Sequence, residues 1–298
     1  MLLFFISKLF AVYPYEEVQC PLGEDFARVF SLTSQNQLGG YDSDLASYAK
    51  GEQFRTFAIS TCYDNFFSLY GKDFHITLSE TQRQNVEKAL EKAKKRLLDQ
   101  NNPLLWERYE IAADIYQALS YSDSLIGQLY LEASWTVRDS FVGYHQGLNG
   151  PKSVEQVLSL GVREIAAQTD PEKKKLLIFN LARVAHRGGY ATIRDQYIET
   201  FLLLPNLTSK DKQSMKYVQS YALPKEQYYQ KKALESFRKA LKNEELSSKE
   251  STRILYLVAD LYRRLGNKEE AQTRYKKVHV TSNDTRLQEL SLFFLQDQ

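Results

Sequence analysis

Two cysteines are the residues whose type and spacing come closest to a metal site. They lie in the sequence CPLG, which begins at Cys20, and in the sequence TCYDN, which contains Cys62. In a zinc ribbon each such knuckle carries a second cysteine three positions after the first, so that two thiolates on one tight turn share a tetrahedral ion. Here Gly23 and Asn65 stand at those positions. The pattern predicts that no cofactor is bound and that an ancestral zinc site has been lost.

Three interpretations of the cysteine pair stay open. Cys20, Cys62 and His75 would supply three ligands to a metal ion that needs one more. If the fold brings the knuckles together, Cys20 and Cys62 would be close enough for a disulfide, which only an oxidising compartment maintains. Two buried free thiols, which behave as small apolar residues, are the third interpretation. The choice between disulfide and thiols depends on whether the protein is exported.

The histidines do not form a catalytic motif. His75, His145, His186 and His279 are scattered, and the chain lacks the sequence signatures of serine hydrolases, zinc proteases, P-loop proteins and dinucleotide-binding enzymes. His186 and Arg187 precede two glycines and mark a candidate functional turn. A positive His186 near the end of a helix, followed by a left-handed glycine, is the favoured interpretation. Acid–base chemistry at His186 would require a carboxylate partner that the sequence does not locate, so no catalytic residue is assigned.

Length and composition place the chain among globular proteins. It has 298 residues, 43% hydrophobic and 26% charged, which is enough for a substantial core and excludes general disorder. Its net charge of +2 provides no overall field to attract nucleic acid. Beyond the first few residues, no stretch approaches the roughly 20 apolar residues of a membrane span.

The first eleven residues resemble a truncated signal segment. Residues 1–11 are apolar with one interruption at Lys8, but they lack a positive n-region and carry Leu9 where a small residue should precede a cleavage after Ala11. A buried N-terminal strand is the alternative. The signal-like pattern favours an exported, periplasmic location over the cytoplasm.

Two further regions differ in hydrophobic period. Residues 12–78 contain short apolar stretches such as 26–32 and 54–59 and are predicted to form a small β-rich head. Turn-forming residues separate these stretches, at Asn36, Gly39-Gly40 and Asp42-Ser43-Asp44. From residue 79 to residue 298 the period becomes 3.6, which predicts helices. Ser79 with Gln82 fits a capping box, and Pro171 suits a first helical position.

The helical region has internal self-similarity. Ala233, Phe237 and Ala240 precede Ala271, Tyr275 and Val278 by a constant 38 residues. Small residues and aromatics at this spacing fit irregular tetratricopeptide-like repeats, although Pro224 interrupts the middle unit. The predicted fold class is therefore mainly α: an α-solenoid of irregular helix pairs with a zinc-ribbon-like β head.

These features together resemble the bacterial domain-of-unknown-function family 2225, over nearly the whole length. The resemblance rests on five sequence features: the two knuckle remnants, the Gly39-Gly40 turn, the sequence IGQLYLEASW at 126–135, and AHRGG at 185–189 before Arg194-Asp195. It implies a zinc-ribbon head joined to a tetratricopeptide-like body, export in some members, and no established activity. The chain departs from the family pattern by lacking half of the expected cysteines.

Stacked helix pairs generate a groove that commonly holds a peptide or a protein surface. The lead hypothesis is a non-enzymatic protein–protein interaction or scaffold module, with the head as a cap or second contact and an unknown protein or peptide as partner. The first alternative is a hydrolase-type enzyme whose site is assembled from distant residues. A deep pocket that contains paired carboxylates, or His186 with an acid, would support it. The second alternative is nucleic-acid binding through the β head, which the near-neutral charge disfavours.

Overall fold

The computed structural model describes residues 14–32, 36–97, 102–142 and 147–296. The chain is mainly helical, with small sheets formed largely by its N-terminal region. The signal-like segment 1–11 and His145 lie outside the described residues. Within the described ranges, no helix combines the length and hydrophobicity that crossing a membrane requires.

The head contains three small strand pairs. Its strands are β1 (Tyr15–Gln19), β2 (Phe26–Phe30), β3 (Gly40–Tyr41), β4 (Ser47–Tyr48), β5 (Ile59–Thr61) and β6 (Ser68–Tyr70). The pairs β1–β2, β3–β4 and β5–β6 are antiparallel. Cys20 follows β1 and Cys62 follows β5, so each cysteine starts a hairpin tip, as the sequence predicted.

One predicted strand is corrected. The apolar stretch 54–59 is a 3-10 turn at Phe54–Thr56, and its strand begins only at Ile59. The turn forms because both the amide and the hydroxyl of Thr56 donate to the Gln53 carbonyl, at 3.0 and 2.7 Å. This local hydrogen bonding competes with extension of the chain.

A strand from the helical region joins the head. β7 (Leu148–Asn149) pairs in parallel with β3. Gly40 makes this approach possible: its φ is +85°, and a Cβ atom there would lie 2.0 Å from the Leu148 carbonyl oxygen. Only glycine tolerates both the positive φ and the close approach of the Leu148 carbonyl.

Eleven α-helical segments lie in the described residues: α1 (Glu80–Arg96), α2 (Leu105–Ala118), α3 (Asp123–Val142), α4 (Pro151–Ala167), α5 (Pro171–Gly188), α6 (Ala191–Leu202), α7 (Ser209–Tyr217), α8 (Leu223–Asn243), α9 (Ser248–Arg264), α10 (Lys268–Thr281) and α11 (Thr285–Gln296).

The helix boundaries follow local signals in the sequence. Ser79 and Gln82 form the predicted capping box of α1. Asp170 caps α5, with Pro171 in its first turn, and Gly189 ends that helix with a φ of +75°. A π-helical turn, Val218–Ala222, joins α7 to α8 directly before Pro224. Proline lacks an amide donor, and a wider turn accommodates that loss.

One face of α4 is buried and the other is exposed. Leu160, on the outer face, is 48% exposed although it is apolar. The buried residues of α4 are Pro151, Val154, Leu158 and Gly161. A Cβ atom on Gly161 would lie 2.4 Å from Leu181 of α5, so the helices meet along the glycine face.

Helix packing is partly sequential and partly long-range. Consecutive contacts link α8 to α9, α9 to α10 and α10 to α11, whereas α3 packs most extensively against the distant α8. Gly127 of α3 permits that approach, because a Cβ atom there would lie 2.5 Å from the Phe237 ring. One continuous hydrophobic core extends from Cys20 of the head to Phe294 of α11.

Candidate functional site

The head inserts a polar loop, Asp42-Ser43-Asp44, among four helices of the helical region that follows it. We call this region, from residue 79 onward, the body. The three side chains are at most 2% exposed. They contact arginines of α3, α5 and α9, and one of those arginines also contacts a glutamate of α8. We call this loop and its charged partners the ionic core.

Arg138 of α3 lies at the centre of the ionic core and is fully buried. Its guanidinium donates to Asp42 Oδ2 at 3.1 Å, to Asp44 Oδ2 at 2.5 Å and to Glu226 Oε1 at 3.0 Å. Buried charges require such partners, because leaving water costs several kcal/mol per ion. Arg138 therefore joins the head loop to two helices at once.

Ser43 makes the contact with α9. The Arg263 and Arg264 guanidinium groups donate to Ser43 Oγ at 2.8 and 2.9 Å, and the Tyr256 hydroxyl donates to the Ser43 carbonyl at 2.6 Å. Both arginines also donate to Asp260, at 2.8 Å. The loop is thus held by both side-chain and backbone atoms.

The charges of the ionic core are balanced. It contains four arginines and four carboxylates: Arg138, Arg187, Arg263 and Arg264 with Asp42, Asp44, Glu226 and Asp260. Burial raises the pKa of Asp44, but Arg138 and Arg264 lower it more, so its pKa falls below its ordinary value. The same competition holds the pKa of Glu226 at about 2: burial raises it, but Arg138 and, at acid pH, protonated His186 lower it more.

His186 and Arg187, the turn singled out from the sequence, lie together in this core. Arg187 Nε donates to Asp42 Oδ1 at 2.8 Å, and its guanidinium lies 3.9 Å from the centroid of the Tyr48 ring. His186 Nε2 lies 2.6 Å from Glu226 Oε2, which supplies the carboxylate partner that the sequence could not locate.

The hydrogen bonds of His186 fit a neutral imidazole rather than the expected cation. Arg194 can only donate, and its Nη1 lies 3.3 Å from His186 Nδ1, so Nδ1 acts as the acceptor and Nε2 carries the proton toward Glu226. Burial lowers the pKa of His186 more than Glu226 raises it. The imidazole is buried among charges that already balance without it.

The space beside His186 and Glu226 is small. The cavity that both residues line has a volume of about 20 Å³, which is room for about one water molecule. A histidine–carboxylate pair performs acid–base chemistry only within reach of a substrate. The geometry therefore supports an anchoring role for this pair, because the cavity beside it is too small for a substrate.

The two cysteines are joined in a disulfide, with their Cα atoms 6.0 Å apart. Asp64 is the third donor within reach of the two sulfurs, and His75 instead lies 3.1 Å from Glu16. A structural zinc takes four ligands, and sulfurs bonded to each other cannot act as thiolates. The donor set of this knuckle pair does not fit a structural zinc ion.

A second feature is a large cleft between the head and α3. It has a volume of about 770 Å³, within the range typical of ligand-binding clefts. We call it the head–body cleft and define it by its main lining residues: Glu16, Phe30, Leu32, Phe54, Arg55, Lys72, His75, Leu125, Gln128, Glu132 and Trp135. Most of the exposed area of its wall is apolar, although six of these eleven residues are polar or charged.

Glu132 is the acidic residue that α3 contributes to this cleft. Gln128 Nε2 donates to its Oε1 at 2.8 Å, and the Tyr70 hydroxyl donates to its Oε2 at 3.1 Å. Burial raises the pKa of Glu132 above its ordinary value, although both hydrogen bonds act in the opposite direction. The head thus supplies a donor to a carboxylate of the body.

The ionic core and the cleft share a wall. Trp135 lines the cleft and donates from its indole Nε1 to Asp44 Oδ2 at 3.0 Å. Arg55 also lines the cleft, and Asp139 of α3 holds it through two hydrogen bonds of 2.6 and 3.0 Å. The ionic core therefore fixes the orientation of Trp135, and Asp139 fixes that of Arg55.

Sequence reasoning missed most of these residues. Asp42 and Asp44 were interpreted only as turn formers, and Arg138 and Glu226 are single charges in otherwise ordinary helices. One local signal was present: Asp260 lies three and four positions before Arg263 and Arg264, a spacing that places them on one helix face.

The comparisons identify a family without an assigned activity. The family model described as "uncharacterized protein conserved in bacteria (DUF2225)" matches residues 13–147 and 207–291. No curated protein and no solved structure matches the chain significantly. The matched segments contain the head, the cleft residues and both Asp42 and Arg138. Since they span most of its length, the chain belongs to the bacterial family DUF2225.

Proposed function

We propose that the protein is a non-enzymatic interaction or scaffold module that binds a protein or peptide partner in the head–body cleft. The observation that carries this proposal is the cleft itself: about 770 Å³, mostly apolar, and lined by both the head and α3. Clefts of this size and composition are the usual sites of ligand recognition. The head then acts as one wall of the binding site.

The fixed orientation of the cleft wall favours binding. Trp135 is tied to Asp44 and Arg55 to Asp139, so these side chains do not have to be ordered when a partner arrives. Ordering a flexible side chain at an interface costs roughly 0.5–1.5 kcal/mol. A preorganised wall therefore contributes to affinity without new contacts.

We extend the proposal to the body, which we describe as an irregular tetratricopeptide-like solenoid. Its support is that Ala233, Phe237 and Ala240 are all buried, as are their counterparts 38 residues later, and that α8 to α11 pack in chain order. The close α3–α8 packing departs from a simple solenoid, in which each repeat contacts only its neighbours. In this description residues 12–78 are the head and 79–298 the repeat domain.

We further propose that a disulfide replaces the ancestral zinc in the head, so that the protein needs no cofactor. Gly23 and Asn65 occupy the positions of the missing ligands. Asn65 donates a hydrogen bond to the Leu22 carbonyl, so one knuckle contacts the other through a side-chain amide where a ligand is missing.

Site-specific photo-cross-linking tests the interaction module. A photoreactive phenylalanine analogue replaces Leu32, which lines the cleft and is 46% exposed, in the full-length chain expressed in its native host. Val280, which is 80% exposed on α10 and is not among the cleft-lining residues, provides the matched control position. Cross-linked products are identified by mass spectrometry.

We expect a specific protein to be cross-linked from position 32 and not from position 280. The same protein cross-linked equally from both positions would contradict the proposal. Cross-linking from position 32 only to residues 1–11 of the same chain would also contradict it, because the cleft would then hold its own N-terminal segment.

A further inference from the structure

The polar groups of the head–body cleft differ in how well their charges are balanced. Arg55 is held by Asp139 through two hydrogen bonds, and His75 lies 3.1 Å from Glu16 at the rim. Both of these cleft residues therefore face an acidic partner already. Glu132, in contrast, accepts its two hydrogen bonds from neutral donors.

Glu132 retains capacity for a further hydrogen bond. Each carboxylate oxygen has two lone pairs, and each accepts one hydrogen bond here, from Gln128 or from Tyr70. The side chain is only partly buried and lines the cleft. A donor that carries a positive charge would be the strongest partner for it, because charge-assisted hydrogen bonds are about twice as strong as neutral ones.

Arg55 and Arg253 act on Glu132 electrostatically, but the guanidinium groups of both donate their hydrogen bonds to other acceptors. Arg253 donates to Gln128 Oε1 at 3.0 Å, on the far side of that amide from Glu132. Lys72 is exposed, and its ammonium lies 5.8 Å from the centroid of the Tyr70 ring. Both groups interact with neighbours of Glu132 that already donate to the carboxylate.

The cleft that Glu132 lines also has apolar and aromatic walls. Phe30 and Phe54 come from the head, and Leu125 and Trp135 from α3. Aromatic faces attract cations as well as apolar groups. The cleft therefore combines one carboxylate with surfaces that suit a ring or an aliphatic chain.

We propose that the cleft recognises a protonated amine attached to an apolar or aromatic group, such as a lysine or an amino terminus beside a large apolar side chain of a partner. Glu132 is the counter-ion of the amine, and the aromatic walls contact the apolar group. This inference rests on the proposed function, because it names the chemistry by which the partner would be held.

Two small probes of similar shape test the inference. 2-Phenylethylamine carries a protonated amine at neutral pH, and 2-phenylethanol is its neutral counterpart. Their affinities for the full-length protein are measured by ligand-observed NMR in wild type, in Glu132→Gln, and in Glu87→Gln, which removes an exposed acid on α1 as a matched control.

We expect wild type and Glu87→Gln to bind the amine about tenfold more tightly than the alcohol, and Glu132→Gln to lose that preference. Equal binding of the two probes by wild type, or an unchanged preference in Glu132→Gln, would overturn the inference.

If Glu132→Gln does not fold, Leu125→Lys serves instead. Its ammonium at the cleft wall should weaken binding of the amine about tenfold and leave that of the alcohol unchanged, and equal effects on both probes would overturn the inference.

The outcome separates the two proposals. A partner cross-linked at position 32 without any preference for the amine probe would support the interaction module and overturn the recognition of an amine. A preference for the amine without a cross-linked partner would support Glu132 as a counter-ion and contradict the interaction module.

Discussion

Arg138 and Asp44 lie 94 residues apart in the sequence, yet the guanidinium of one donates to the carboxylate of the other at 2.5 Å, with both side chains buried. This contact joins the head to α3. It belongs to a balanced group of charges that also includes residues of α5, α8 and α9. The ionic core is therefore a buried polar connection between head and body, and through Asp44 it also holds Trp135 of the cleft wall.

Removing Arg138 should destabilise the protein severely. Arg138→Met leaves Asp42, Asp44 and Glu226 without a shared cation in the interior. Breaking one buried ion pair by removing one partner costs about 3–5 kcal/mol, and here three carboxylates are affected. We expect the free energy of unfolding, measured in urea, to fall by at least this amount.

Arg28→Met is the matched control. Arg28 is exposed and lies 3.9 Å from Glu17, and exposed pairs contribute about 0–1 kcal/mol. A loss of similar size in the two variants would show that the ionic core is not a principal source of stability.

The stability of the protein should decrease as the pH falls below about 6.5. Unfolded histidine has a pKa of about 6.5, and the pKa of His186 is lower in the folded state. Below pH 6.5 the unfolded chain therefore binds more protons at this residue, which favours unfolding by up to about 1.4 kcal/mol per pH unit. The loss continues until the pH reaches the folded pKa of His186.

His186→Gln isolates this effect, because glutamine keeps an N–H donor toward Glu226 but does not titrate. Its unfolding free energy should change less than that of wild type between pH 7.5 and pH 5. Glu226 causes a separate loss of stability at lower pH. Its pKa is about 2 in the folded state and 4.5 ordinarily, so that loss falls between pH 4.5 and pH 2, outside the measured range. If the unfolding free energies of wild type and His186→Gln changed equally with pH, the result would be inconsistent with a buried neutral His186.

Reduction of the disulfide should destabilise the chain. Cys20 and Cys62 are 42 residues apart, and a loop of that length corresponds to roughly 4 kcal/mol in the chain-entropy model. We expect reductant to lower the unfolding free energy of wild type by about this amount and to leave a Cys20→Ala, Cys62→Ala double variant unaffected.

The intact mass of the protein from its native host, alkylated without reduction, reports the thiol state. We expect no added alkyl groups, and two groups after reduction. Two groups added before reduction would show that the cysteines are free thiols in the cell.

Gly127 should not tolerate a side chain. An added Cβ atom would lie 2.5 Å from the Phe237 ring, so Gly127→Ala must displace that buried ring or separate α3 from α8. Overpacking of this kind typically costs about 1–3 kcal/mol, which exceeds the gain in helix propensity of about 1 kcal/mol. Gly147→Ala is a control for backbone strain without a clash: its φ of +84° disfavours alanine, but no atom of the described residues lies within 4 Å of its added Cβ atom. A more stable Gly127→Ala variant would refute the close packing.

Local signals in the sequence predict much of the fold. The capping box at Ser79, the Asp170–Pro171 start of α5 and the hairpin tips at both cysteines are confirmed because each depends on neighbouring residues. The stretch 54–59 was predicted wrongly, because the hydrogen bonds of Thr56 to Gln53 outweigh its apolar composition.

The site could not be predicted in the same way. Its residues come from positions 42–44, 138, 186–187, 226 and 260–264, and only the folded chain brings them together. The residues around a single buried charge in a helix do not differ in type from those around an exposed one. Nothing in the local sequence therefore indicated that Arg138 is buried. Glu132 also gave no signal, because the hydrophobic period predicts its helix without assigning any role to this residue.

The most direct test of the account is the affinity of the purified cross-linked partner for the head–body cleft, measured by titration calorimetry. Leu32→Glu places a charge on the apolar wall, and Val280→Glu makes the same change on α10. We predict at least about a tenfold loss of affinity for Leu32→Glu and no change for Val280→Glu. Equal affinities of wild type and Leu32→Glu would contradict the cleft as the binding site.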